Sequence, residues 1–69
     1  MEFSLQGNEY IELNKLLKLL GLVETGGEAG VRILNGEVKL NKIRVTEKRK
    51  KIRAGDAIRF AKEEIKITE

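Results

Sequence analysis

The hydrophobic period changes near residue 37, from helical spacing before it to alternation after it. Leu13, Leu16, Leu17 and Leu20 fall at i, i+3, i+4 and i+7, one face of an α-helix. Its start has two readings. Asn8 is a good N-cap type, but Tyr10-Ile11 can equally extend the entry chain, with the helix beginning near Glu12. Gly21 supplies a left-handed terminator, and Lys18 suits the negative end of the helix dipole. A second, short helix is predicted from Thr25-Gly26-Gly27-Glu28, where Thr25 caps and Glu28 stands three residues on, as in a capping box. Ala29 and Ile33 share one face of it, and Asn35-Gly36 stops it.

Beyond that point, aliphatic pairs flank single basic residues. Val38 and Leu40 flank Lys39, Ile43 and Val45 flank Arg44, Ile58 and Phe60 flank Arg59, and Ile65 and Ile67 flank Lys66. Each triplet predicts a strand with its aliphatic groups inward and its basic residue outward. Phe3-Ser4-Leu5 alternates as an edge strand would. Asn41-Lys42 suits a two-residue hairpin turn, because Asn tolerates positive φ. Ala54-Gly55-Asp56 and Lys62-Glu63-Glu64 are the other predicted turns. The fold class is therefore α+β: two short helices packed on one side of a small, mostly antiparallel sheet.

Length allows one domain, residues 1–69. A chain of this size buries only about 60% of the surface its unfolded form exposes. Without Cys or His, disulfides and thiolate or imidazole metal sites are excluded as supports for so thin a core. The same absences, with that of Trp, remove the common general bases, the best nucleophile and the strongest stacking platform. A hydroxyl nucleophile would be limited to Ser4, Thr25, Thr46 or Thr68 with Lys or a carboxylate as its base. No catalytic residue, cofactor or metal is expected; binding is the better class. No apolar run reaches the roughly 18 residues of a membrane span, so a cytoplasmic protein is expected.

Charge sharpens this reading. Residues 1–38 hold three basic residues against six acids, whereas residues 39–53 hold eight basics against Glu47 alone. A like-charge cluster repels itself, so it either faces an anionic partner or lies in a solvated loop. Lys48-Arg49-Lys50-Lys51 with Arg53 suits phosphate, Arg through paired donors and Lys as point charge. Four successive basics do not fit one strand face, so a loop or bulge is predicted. Lys39 and Arg44 adjoin it and are assigned to the same contact, while Arg59 and Lys66 are read as solvated sheet surface. At Thr25-Gly26-Gly27, unpaired N–H groups at a helix start attract phosphate; the alternative is that the glycines permit a tight helix–helix corner. Phe3 and Phe60 read as core, which leaves Tyr10 as the single candidate for base stacking. Shape and phosphate readout are expected to outweigh recognition of splayed-out bases.

In this order and spacing, Leu16-Leu17-Lys18, Thr25-Gly26-Gly27-Glu28-Ala29, Gly36-Glu37-Val38-Lys39, Asn41, Arg49-Lys50-Lys51-Ile52 and Gly55-Asp56 resemble the S4 RNA-binding domain. This is the α-L motif, and the likeness is to its short stand-alone bacterial form, from about Ile11 to Phe60. The resemblance implies RNA binding by the helix pair and adjoining hairpin, at Lys18, Thr25, Gly26, Gly27, Lys39, Asn41, Arg49, Lys50 and Lys51. With the residues read from charge, Arg44, Lys48 and Arg53, these form the candidate RNA-binding site. Three positions depart from the larger S4 domains: Arg32 stands for a leucine, Glu47 for a basic residue, and glycine for an arginine near the start of helix two. The expected partner is structured RNA, with ribosomal RNA favoured by the resemblance; the alternative is a protein-interaction module whose basic loop docks on an acidic protein. The assignment requires Lys39–Arg53 to share one exposed patch with Lys18 and the Thr25-Gly26-Gly27 corner.

Overall fold

A computed structural model describes residues 1–69. Its elements are β1 (Glu2–Ser4), β2 (Ile11–Glu12), α1 (Leu13–Leu19), α2 (Gly26–Leu34), β3 (Val38–Leu40), β4 (Ile43–Arg44), β5 (Lys51–Ile52), β6 (Ala57–Phe60) and β7 (Glu63–Thr68). Five strands form the main sheet in the order β1-β7-β6-β3-β4, and β2 and β5 form a separate two-stranded ribbon. All pairings are antiparallel except that of β1 with β7. The α+β class holds: both helices contribute to one core on a single side of a mostly antiparallel sheet.

That core follows from the two periods. Leu13, Leu16 and Leu17 of α1 and Ala29 and Ile33 of α2 meet Val38, Ile58, Phe60, Ile65 and Ile67 of the sheet. Because side chains alternate across a strand, Lys39, Arg59, Glu64 and Lys66 point to the opposite, solvent face. Ile52 seals the core from β5, fully buried between the exposed Lys51 and Arg53.

Both helices end in the same device. The Leu22 N–H donates to the Leu17 carbonyl and the Gly21 N–H to that of Lys18; Glu37 and Gly36 repeat the pattern onto Arg32 and Ile33. These are Schellman motifs, and both terminal glycines adopt the positive φ the motif requires, 75° at Gly21 and 78° at Gly36. At the start of α2, Thr25 Oγ1 accepts the Glu28 N–H at 3.0 Å. The Glu28 carboxylate reaches one residue further back than a standard capping box, to the Glu24 N–H at 2.9 Å.

Several expectations are corrected. Of the two starts for α1, the later one is adopted: Ile11-Glu12 is strand and the helix runs from Leu13. The Asn41-Lys42 turn forms with φ of 51° and 72°, but β4 ends at Arg44, and Ile43 is exposed because no element covers this edge of the sheet. The turn before β7 is Ala61-Lys62, one residue earlier than predicted, with Ala61 at φ 55°. The ribbon of β2 and β5 has no counterpart among the predicted elements.

Candidate nucleic-acid interface

The Glu12 side chain makes no capping bond at the start of α1, so the helix needs another acceptor for its first N–H groups. The basic loop supplies it. The Leu13 N–H donates to the Lys50 carbonyl at 2.9 Å and the Asn14 N–H to the Lys48 carbonyl at 3.0 Å, while Lys15 N–H takes Asn14 Oδ1. The loop turns tightly at Lys48-Arg49, closed by Lys50 N–H on the Glu47 carbonyl, and then pairs as β5 with β2. Its carbonyls thus face the positive end of the α1 dipole. Of the segment predicted as a loop or bulge, Lys48-Arg49-Lys50 is one, whereas Lys51 belongs to strand β5; the main chain is fixed and the charged side chains are exposed.

Lys48 joins this strap to α2 as well. A β-carbon on the buried Gly30 would stand 3.4 Å from Lys48 Cδ, so the aliphatic stem lies across the middle of α2. Arg44 behaves similarly at the end of the helix: a β-carbon on Gly36 would stand 2.7 Å from Arg44 Cδ. Lys18 is four residues from Asn14 and so shares its flank of α1, one turn further from the strap. Lys48, Arg49, Lys50 and Lys51 are exposed, and neither they nor Lys18, Arg44 or Arg53 enters any ion pair.

At the Thr25 corner, no atom lies within 4 Å of a β-carbon built on Gly26, and a β-carbon on Gly27 would meet only Thr25 Oγ1 at 3.8 Å. The glycines therefore do not serve a tight helix–helix corner. Their N–H groups have no protein acceptor. The one acid of α2, Glu28, shares its carboxylate between the Glu24 N–H at the helix start and Arg32 one turn on. Arg32 meets Glu28 at 3.6 Å and Glu37 at 2.9 Å and lies over the Phe60 ring. The Glu37 hydrogen bond and then its charge raise the Arg32 pKa above its usual value.

Two predicted site residues lie elsewhere. Lys39 stands on the outer face of the sheet, directly opposite Arg44 on one side and Arg59 on the other, and points away from the helix pair; Arg44 starts from that same face, and its stem turns back to Gly36. Lys39 lies on the side of the sheet opposite the helices, apart from the strap. The reason is the strand period: Val38 and Leu40 enter the core, which sends Lys39 outward. Asn41 is occupied internally: its Nδ2 donates to Asp56 Oδ1 at 3.1 Å and its Oδ1 accepts the Ala57 N–H at 2.9 Å. Asp56 in turn accepts the Arg53 N–H at 2.8 Å. Asn41 thus ties the hairpin to the turn before β6.

Two residues outside the predicted set seat the strap, Asn14 and Gly30. Nothing in their types signals this, since both act as the seats on which Lys48 rests.

A helix pair clamped by a basic strap, on one side of a small sheet, defines an S4-type domain. The chain belongs to the S4 domain family, whose model matches residues 3–68. YbcJ of Escherichia coli (strain K12) is 40% identical over 65 residues, 94% of this chain and 93% of that protein. YbcJ of Shigella flexneri matches to the same extent. The solution structure of YbcJ from E. coli, described as revealing an αL motif involved in RNA-binding, aligns with a TM-score of 0.75 at 38% identity, over 99% of this chain and 86% of that one.

Proposed function

We propose that this chain is a non-catalytic, cytoplasmic RNA-binding protein that holds structured RNA by its phosphates. Arg49, Lys50 and Lys48 supply the principal contacts, with Lys18, Arg44, Lys51 and Arg53 around them and the Gly26 and Gly27 N–H groups at the start of α2. The carrying observation is that the strap's main chain is hydrogen-bonded to α1 while its cations have no carboxylate partner. Charges held in place against their own repulsion suit an external polyanion. S4-family membership and the αL motif of the E. coli relative support RNA as that polyanion, and ribosomal RNA is the class favoured by the family resemblance.

The test is the salt dependence of binding to an RNA duplex. Neutralising about four or five phosphates gives a slope of log K against log salt near −3.6 to −4.5. Arg49→Ala with Lys50→Ala flattens it by roughly one to two units. A folded double variant with an unchanged slope removes the loop from the interface.

A further inference from the structure

Tyr10 is the only tyrosine in a chain without tryptophan, and its surroundings are unusual for a surface aromatic. Lys51 Nζ lies 5.0 Å from the centre of its ring and the Arg53 guanidinium 5.6 Å. Register explains the convergence. Ile11 opposes Ile52 in the β2–β5 ribbon, so one antiparallel step further sets Tyr10 opposite Arg53, with Lys51 diagonal to it. Ile52 is buried between them, which places Lys51 and Arg53 on the same outward face.

Each cation–π contact at an exposed site is weak, yet here two cations converge on one ring without a carboxylate bound to either. The neighbouring Glu12 pairs with Lys15 instead, at 3.5 Å. Tyr10 remains 38% exposed and borders two open clefts, of about 450 Å³ lined also by Glu9 and Glu12, and of about 230 Å³ lined mostly by apolar groups, with Lys51 and Arg53 outside both. An aromatic surface with two unpaired cations beside it matches the two halves of a nucleotide: a base to stack and a phosphate to bind.

We infer that Tyr10, Lys51 and Arg53 receive a single unpaired nucleotide, its base on the Tyr10 ring and its phosphate between the two cations. The site continues the strap, because β5 follows Lys48-Arg49-Lys50 directly in the chain. This inference rests on the RNA-binding reading and adds to it a preference for a duplex that carries an unpaired base at its end.

Tyr10 is its own reporter, since all intrinsic tyrosine emission comes from it. The experiment titrates the full chain with three RNA hairpins: one blunt, one with a short single-stranded tail, and one whose tail carries abasic sugars. The tailed hairpin is expected to quench the emission and to bind about tenfold more tightly than the abasic form, as one stacked base commonly provides. The blunt and abasic hairpins, which offer phosphate but no unpaired base, are expected to quench it less. Tyr10→Phe keeps the preference for the tail, and Tyr10→Leu abolishes it while binding the blunt hairpin as the parent does. Equal affinity for tailed and abasic hairpins, or equal loss of affinity for all three with Tyr10→Leu, overturns the inference and leaves the RNA-binding reading standing. Absence of binding to any hairpin overturns the reading beneath it.

Discussion

The stem of Lys48 lies on Gly30, 3.4 Å from where a β-carbon would stand, so the basic strap is seated on bare helix backbone. Glycine inside a helix costs about 1 kcal/mol relative to alanine. Because the exposed lysine stem can yield by a few tenths of an ångström, Gly30→Ala is expected to raise stability by up to about 1 kcal/mol and keep RNA affinity. Gly30→Leu forces the stem off the helix and weakens RNA binding. Thermal melts and binding isotherms of both variants check the pair.

Gly26 and Gly27 separate stability from function more sharply. Neither needs positive φ, and added β-carbons would meet open space or the Thr25 hydroxyl. Alanine at both is expected to stabilise the protein by roughly 0.5–1 kcal/mol while lowering RNA affinity, because methyl groups would crowd a phosphate approaching the two N–H groups. A stabilised variant with unaltered affinity excludes the helix start from the interface.

The two helix-ending glycines are expected to respond unequally. Gly21→Ala incurs the left-handed backbone cost of about 1–2 kcal/mol and meets nothing within 4 Å. Gly36→Ala incurs the same cost and also collides with Arg44, so it loses more. Arg44→Ala should recover that excess and leave Gly21→Ala unaffected, a coupling that a double-mutant cycle in urea measures.

Asn41 is expected to act on stability alone. Asn41→Gly preserves the positive φ and removes only the bonds to Asp56 and Ala57, costing about 1–3 kcal/mol. Asn41→Ala adds backbone strain to that loss. In neither does the salt slope of RNA binding change, because no charge is removed from the interface.

Much of this was open to inspection before any coordinates. Periodic leucines, a Thr cap, two terminal glycines and an Asn-Lys turn all act within a few residues of themselves, and the elements follow from local rules. The basic segment was equally visible, since composition does not depend on folding. Hidden from such reading were the β2–β5 ribbon, two residues on each side, and the seating of the strap on α1 and Gly30. Short strands have no period to display, and a carbonyl looks the same in every residue.

Taken alone, the sequence determined the class of fold, the position of the charge and the likeness to a family, because hydrophobic spacing, charge and glycine conformations are properties of neighbours along the chain. Tertiary structure decided which cations stand together. It seated Lys48 on Gly30, enclosed Asn41 in a bonded network, and brought Lys51 and Arg53 onto Tyr10. The physical reason is that strand alternation and register, fixed by burying Val38 and Ile52, decide the direction of every charge beside them.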